Sequence, residues 1–172
     1  IRRGLEQLEG VPGRFELVPT TGDYTVVIDY AHTPDSLKNL LMTARALVKN
    51  RLITVFGCGG NRDQGKRPLM GGIAAELSDY TIITNDNPRW EDPEAIAEQI
   101  KAGFLERKPD GDITVLLDRG EAIRKAVLMA QSGDMVVIAG KGHETDQDFG
   151  RYKSHFDDKE AAQAAVKEKE EA

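Results

Sequence analysis

Residues 52–68 carry the sequence Leu52-Ile53-Thr54-Val55-Phe56-Gly57-Cys58-Gly59-Gly60-Asn61-Arg62-Asp63-Gln64-Gly65-Lys66-Arg67-Pro68, an apolar run that ends in a loop dense in glycine and charge. The same pattern recurs at Thr81–Thr84 followed by Asn85-Asp86-Asn87-Pro88-Arg89, and at Met135–Ala139 followed by Gly140-Lys141-Gly142-His143-Glu144. Each apolar run is typical of a buried strand. Because the carboxyl ends of parallel strands share one edge of an open sheet, the three loops are predicted to converge on one crevice.

The charges in these loops indicate what such a crevice would bind. Two arginines, Arg62 and Arg89, and two carboxylates, Asp86 and Glu144, would line it. A guanidinium suits a carboxylate or phosphate partner, whereas an ionised carboxylate only accepts hydrogen bonds. The predicted ligand therefore carries both signs of charge.

The rest of the chain alternates strand and helix patterns, which predicts an α/β fold with a mostly parallel sheet and helices on both faces, Rossmann-like. Strands are predicted at Tyr24–Tyr30, Leu52–Phe56, Tyr80–Thr84, Ile113–Leu117 and Met135–Ala139, with further edge strands at Phe15–Val18 and Tyr152–Phe156. No linker composition interrupts the pattern, so residues 1–172 are predicted to form one domain.

Helix starts are equally well marked. Thr33-Pro34 and Asp92-Pro93 each supply an N-cap followed by a first-turn proline. Asp118 with Glu121 and Asp157 with Glu160 have the spacing of a capping box, and the charged tail Lys167–Glu171 is expected to fray.

The bulk composition is that of an ordinary globular protein, with 40% apolar and 30% charged residues among 172. The net charge of −6 and the absence of a Lys/Arg-rich run argue against nucleic acid or an anionic membrane as the partner. No apolar run approaches the roughly 20 residues that span a bilayer. The single cysteine, Cys58, excludes an internal disulfide and fits the reducing cytoplasm, where we expect the protein to act. Because the sequence opens with Ile1 inside a charged, helix-like segment, we expect it to be a piece of a longer protein.

The first loop comes close to two known nucleotide-binding motifs and satisfies neither. Gly60, Gly65 and Lys66 have the spacing of a Walker A phosphate loop, but Arg67 occupies the position of the magnesium-binding Ser or Thr. The opening Gly57-Cys58-Gly59 lacks the third glycine of a dinucleotide fingerprint, where Arg62 stands. The sequence therefore predicts a loop that lets a ligand approach the backbone, with Arg62 as an anion-binding fork.

Three further positions have both a structural and a functional interpretation. Asp29, at the end of a strand, could accept hydrogen bonds from ribose hydroxyls, and His32 could stack or donate, or both could simply order the turn into Pro34. His143 could act as a base, although a histidine without a partner is more often a packing or hydrogen-bonding residue. We expect His155 on the surface.

The motifs Val11-Pro12-Gly13-Arg14, Asp29–Asp35, Gly57–Pro68, Asp86–Arg89 and Gly140–Glu144 occur in an order that resembles the C-terminal domain of the Mur ligases, which build the cytoplasmic peptidoglycan precursor. Asp86-Asn87-Pro88-Arg89 resembles the signature of members that add meso-diaminopimelate, rather than lysine, to UDP-N-acetylmuramoyl-L-alanyl-D-glutamate. The resemblance implies that meso-diaminopimelate contacts Arg62, Asp86, Asn87, Arg89, Gly140 and Glu144. It places Arg14, Asp29 and His32 on the ATP side and assigns no catalytic residue and no metal ligand to this chain.

The resemblance also implies a reaction in which ATP phosphorylates the terminal carboxylate of the UDP-linked dipeptide and the incoming amine attacks the acyl phosphate. The N-terminal UDP-binding domain and the central ATPase domain with its Mg²⁺ ligands would lie outside this chain, which would be inactive alone and would belong to a monomeric enzyme. Lysine would leave a buried guanidinium unpaired and be rejected. The alternatives are a folylpolyglutamate or cyanophycin ligase relative, a lysine-adding relative, or a free-standing module that binds an amino acid or nucleotide without catalysis.

Overall fold

The computed structural model describes residues 11–171, so the predicted segment around Ile1 lies outside the described residues. Six strands form the main sheet: β1 (Glu16–Val18), β2 (Thr25–Asp29), β3 (Leu52–Phe56), β4 (Tyr80–Ile83), β5 (Ile113–Val115) and β6 (Met135–Ala139). Their order is β1-β2-β6-β3-β4-β5. All neighbours pair in parallel except β1, which runs antiparallel to β2 at one edge.

This strand order sets which loops meet. The last strand in the series, β6, is inserted between β2 and β3. The loops that follow β2, β6, β3 and β4 therefore leave the same edge of the sheet side by side, as expected for parallel strands. The predicted convergence of three loops is confirmed, and the turn after β2 joins them.

Residues 11–171 form five helices: α1 (Pro34–Leu47), α2 (Lys66–Leu77), α3 (Pro93–Arg107), α4 (Arg119–Met129) and α5 (Asp158–Glu170). The first four connect strands of the main sheet. Thr33 caps α1 in a reciprocal capping box with Ser36, and Pro34 occupies the first turn. Asp118 accepts from the Glu121 amide at 3.0 Å. Asp157 likewise caps α5, but the Glu160 carboxylate pairs with the exposed His155 ring at 2.7 Å.

Helices cover both faces of the sheet, as predicted. One apolar cluster joins α1, α2 and α3 to sheet residues such as Leu52, Phe56 and Val137. The other joins α4 and α5 to Ile53, Val55 and Ile138. Because successive side chains of a strand point to opposite faces, the buried strands β3 and β6, which are apolar except for Thr54, supply both clusters.

The structure differs from the sequence prediction at the C-terminal end. The segment predicted as an edge strand at Tyr152–Phe156 forms β8 (Lys153–His155), which pairs with β7 (Asp146–Asp148) in a separate two-stranded sheet. The tail predicted to fray is helical to Glu170, because the Lys169 ammonium donates to the Leu128 and Ala130 carbonyls at 2.8 Å. Other element boundaries shift by one or two residues. Within residues 11–171, no helix combines the length and apolarity needed to cross a bilayer.

Candidate functional site

The four converging loops enclose a cavity of about 680 Å³. Its wall contains every residue that the sequence assigned to the amino acid: Arg62, Asp86, Asn87, Arg89, Gly140 and Glu144. His32 also lines it, together with Lys66, which the sequence interpretation did not select. Two arginines and two carboxylates thus meet at one edge of the sheet.

The first loop is held by Arg67, the residue that stands where a phosphate loop has Ser or Thr. Arg67 is fully buried, and its guanidinium donates to both oxygens of Glu91 at 2.9 and 3.0 Å. These hydrogen bonds lower the pKa of Glu91, against the opposing effect of burial. Glu91 also accepts from the Asn61 amide, so this pair braces the glycine loop. Arg62 is exposed, and within the described residues its guanidinium has one long hydrogen bond, 3.4 Å to the Asn61 carbonyl.

The first and second loops are locked together. The Gly60 amide donates to the Asn87 carbonyl at 2.9 Å, and Arg89 Nη1 donates to the Gly60 carbonyl at 2.8 Å. A side chain on Gly60 would have its Cβ 1.8 Å from the Pro88 carbonyl oxygen, so only glycine fits there. Arg89 has a φ of +55° and lies 3.7 Å from an Asp148 carboxylate oxygen.

The second and third loops meet at Asp86 and Gly140. One carboxylate oxygen of the buried Asp86 accepts from the Asn87 amide at 2.7 Å. A Cβ on Gly140, whose φ is +118°, would lie 2.8 Å from the other oxygen. The glycine therefore permits the close approach that brings the backbone of the third loop beside the carboxylate.

The sequence interpretation did not select Lys141, which lies behind the cavity wall and contacts two of its residues, Asn87 and Glu144. Its side chain is fully buried, and its ammonium donates to Asn87 Oδ1 and Glu144 Oε2, both at 3.1 Å. Asn87 Nδ2 donates to the same Glu144 oxygen at 3.0 Å. Lysines are normally solvated, so the signal in the sequence was only that Lys141 stands between two glycines in a site loop.

A buried ion pair supports the second and third loops and was also missed. Arg119 donates to both carboxylate oxygens of Asp158 and to the carbonyls of Asn85 and Ala139, the residues that precede Asp86 and Gly140. Burial by itself lowers the pKa of Arg119, but the attraction of nearby carboxylates, Asp158 foremost, raises it overall. Arg119 is therefore a permanent positive charge behind the site.

Of the three residues assigned to the ATP side, His32 lines the cavity and the other two do not. The two carboxylate oxygens of Asp29 accept from the amides of Phe15 and Ala31 at 2.7 and 2.8 Å, so this carboxylate orders the turn. His32 is exposed on the cavity wall, with Nδ1 2.8 Å from the Tyr30 carbonyl oxygen. Arg14 is exposed and, like Asp29, lies outside the residues that line the cavity.

Two other site features bear on chemistry. Cys58 lies in the cavity wall, where burial raises the pKa of its thiol to about 12. Among residues 11–171, no three His, Cys, Asp or Glu side chains cluster in a way that could hold a metal ion.

The fold and the cavity together define a three-layer, Rossmann-like α/β domain whose cavity, at the carboxyl edge of the sheet, is lined by two arginines and two carboxylates. The chain belongs to the Mur ligase family, because the profile of the Mur ligase glutamate ligase domain matches residues 13–142. It is 56% identical over 164 residues to the UDP-N-acetylmuramoyl-L-alanyl-D-glutamate–2,6-diaminopimelate ligase of Synechococcus elongatus, covering 95% of this chain and 32% of that protein. It is 52% identical over 162 residues to the ligase of the same name from Syntrophomonas wolfei, covering 94% of this chain and 33% of the relative.

A solved structure of a ligase with this name superposes with a TM-score of 0.83 at 42% identity, covering 95% of this chain and 33% of that one. The chain thus spans about a third of the length of the relatives that it matches.

Proposed function

We propose that this chain is the C-terminal, amino-acid-binding domain of an ATP-dependent ligase that adds meso-diaminopimelate to UDP-N-acetylmuramoyl-L-alanyl-D-glutamate. The observation that carries the proposal is the meeting of Arg62 and Arg89 with Asp86 and Glu144 in one cavity. The similarity to diaminopimelate ligases over nearly the whole chain supports it.

The ligand's charges match those of the cavity wall. Meso-diaminopimelate is a zwitterion at both ends, with two ammonium and two carboxylate groups. In our proposal Arg62 and Arg89 bind carboxylate, Asp86 and Glu144 bind ammonium, and Gly140 offers backbone polar groups without a side chain in the way. The cavity is larger than one amino acid requires, which leaves room for the acyl group that the amine attacks.

The structure changes one part of the argument against lysine. The side chain of Arg89 is 23% exposed, so its guanidinium is not fully buried. The same guanidinium already donates to the Gly60 carbonyl, and Arg62 is exposed. Lysine, which lacks the distal carboxylate, therefore loses charge-assisted hydrogen bonds but leaves no buried ion unsatisfied. We expect a preference for diaminopimelate of about 10- to 100-fold from this cause.

In the proposed mechanism the chain holds the amine and excludes water while the chemistry occurs at its rim. Positioning the amine near the acyl phosphate converts a bimolecular attack into an intramolecular one. We place the ATPase site, the Mg²⁺ ligands and the UDP-sugar site in segments outside this chain, against which the domain closes as a lid. We assign His32, which lies in the cavity wall, to the ATP side together with Asp29 and Arg14. The whole enzyme is proposed to be monomeric and cytoplasmic.

The test uses the full-length protein that contains this chain. We expect amide formation that requires ATP, Mg²⁺ and meso-diaminopimelate, with L-lysine a poor substitute. Arg89→Ala should raise the KM for diaminopimelate and narrow the preference over lysine. Arg107→Ala, which removes an exposed arginine that is paired with Glu76 and does not line the cavity, is the matched control.

A preference for lysine in that assay would overturn the assignment of Arg89. Binding of diaminopimelate without any ATP-dependent amide formation would instead identify a binding module.

A further inference from the structure

The buried lysine of the third loop has no role in the assignments above. Lys141, Asn87 and Glu144 form a closed triangle in which each side chain bonds to the other two, at 3.0 to 3.1 Å. Lys141 is fully buried, and the Glu144 side chain is 33% exposed toward the cavity. The triangle therefore has one corner, Lys141, behind the cavity wall and two corners, Asn87 and Glu144, in the wall itself.

The donors around Asn87 fix the orientation of its amide. Its Oδ1 is approached by the Lys141 ammonium at 3.1 Å and by the Asp148 backbone amide at 3.0 Å, and both of these groups only donate. The oxygen must face them, so the Nδ2 group must face Glu144. Lys141 and the Asp148 amide together determine that Asn87 presents a donor to Glu144.

The same lysine determines which part of Glu144 is available. Both donors, Lys141 Nζ and Asn87 Nδ2, bond to Oε2, and no residue of the described chain donates to Oε1. A glutamate held at one oxygen by two donors has lost its rotamer freedom before a ligand arrives. One carboxylate oxygen remains free for an ammonium group.

The glycines on either side explain how a lysine can be buried there. Gly142 has a φ of +56°, and a Cβ at this position would lie 2.7 Å from the Tyr30 Cβ. Gly140 makes the comparably close approach to Asp86 already described. The backbone thus passes through two conformations that favour glycine, and the lysine between them points inward.

We propose that Lys141 is a positioning residue of the amino-acid site: it orients Asn87 and Glu144 so that the free Glu144 oxygen receives an ammonium of the incoming diamino acid. This inference rests on the proposed function. Lys141 acts on the ligand through the Glu144 carboxylate, which it holds both directly and by helping to orient the Asn87 amide, so its effect on substrate binding must depend on the presence of that carboxylate.

The experiment is a double-mutant cycle in the full-length protein with Lys141→Met, Glu144→Gln and the combined variant. Lys141→Met should raise the KM for meso-diaminopimelate about tenfold or more and leave the KM for ATP unchanged. In the Glu144→Gln background the same substitution should change the KM for diaminopimelate less than twofold. Lys101→Met is the matched control, since Lys101 pairs with Glu98 at the same spacing and the same 3.1 Å distance on an exposed helix face.

The combined variant keeps the test decisive if Lys141→Met alone does not fold, because removing both charges of a buried pair is tolerated better than removing one. A combined variant that binds diaminopimelate like Glu144→Gln supports the proposal. A further large rise in its KM, or a Lys141→Met variant that loses thermal stability with an unchanged KM, overturns it. Absence of diaminopimelate-dependent activity in the unmutated protein would instead contradict the proposed function.

Discussion

Arg119 and Asp158 join through two hydrogen bonds of 2.7 and 2.8 Å, and neither side chain is exposed to solvent. Two further N–H groups of Arg119 donate to the carbonyls of Asn85 and Ala139, both at 3.0 Å. The first turn of α5 is thereby tied to the two loops that carry Asp86 and Gly140. A helix more than ten residues downstream of the last site loop thus helps to position the site.

Asp158→Asn should lower the free energy of unfolding by about 3 kcal/mol or more, because it leaves the buried guanidinium without a counter-charge. Urea denaturation measures this change. Glu168→Gln removes a carboxylate that pairs with Arg124 on the surface and is the control, with a far smaller expected effect. Equal effects of the two substitutions would show that burial of the Arg119–Asp158 pair does not govern its contribution to the free energy of unfolding.

Glu91 should make the stability depend on pH in the acid range. Its hydrogen bonds from Arg67 lower its pKa below the ordinary value of 4.5. A carboxyl with a depressed folded-state pKa stabilises the fold above its unfolded pKa, and that contribution is lost as the pH falls from 4.5 through the folded value. Denaturation at a series of pH values should therefore show that the free energy of unfolding falls less steeply with acidification in Glu91→Gln than in the unmutated protein. The variant starts from a lower stability at neutral pH. Parallel curves for the two proteins would contradict this linkage.

Gly142→Ala should destabilise the protein by about 2 kcal/mol or more, since the new Cβ meets the Tyr30 side chain at 2.7 Å and the Gly13 carbonyl oxygen at 2.9 Å in a backbone conformation that L side chains avoid. Thermal denaturation gives the comparison. Gly120→Ala is the control, because Gly120 lies in α4 and its nearest neighbour would be 3.3 Å away. We expect that change to be close to neutral, as helical alanine is preferred over glycine.

Cys58 should resist alkylation at neutral pH although it lines the cavity. Burial raises the pKa of the thiol to about 12, and only the thiolate reacts rapidly. Mass spectrometry after iodoacetamide treatment should find little modification in the folded protein and complete modification in urea. Rapid labelling of the folded protein would mean that the loop around Gly57 opens readily.

Much of the fold could be predicted because the relevant signals are local. The apolar runs at Leu52–Phe56 and Met135–Ala139 are buried strands, and the proline-led helix starts at Pro34 and Pro93 are where the sequence indicated. The β7–β8 hairpin could not be predicted in this way, since Asp146–Asp148 is short, polar and stabilised by its pairing partner. The start of α5 could be predicted from Asp157 and Glu160, but its ordered tail depends on Lys169 reaching carbonyls about 40 residues away.

The same distinction applies to the site. Arg62, Arg89, Asp86 and Glu144 could be placed in one crevice from loops that follow strands, since the edge where parallel strands end is fixed by their direction. Their assignment to the amino acid, together with Asn87 and Gly140, came from the resemblance to the Mur ligases. The residues that support the loops from behind, Arg67, Arg119 and Lys141, could not be identified. They are charged residues whose burial depends on partners far along the chain or in another loop.

The sequence by itself determined the alternation of strands and helices, the edge at which the loops emerge and the charges that the loops carry. Only the tertiary structure decided that β6 lies between β2 and β3, which brings the loop of Gly140 beside that of Asp86. It also decided that Arg119 and Lys141 are buried, and that Asp29 bonds to backbone amides. The physical reason is that periodicity and turn chemistry act between near neighbours, whereas strand pairing and the burial of a charge depend on groups that the folded chain alone brings together.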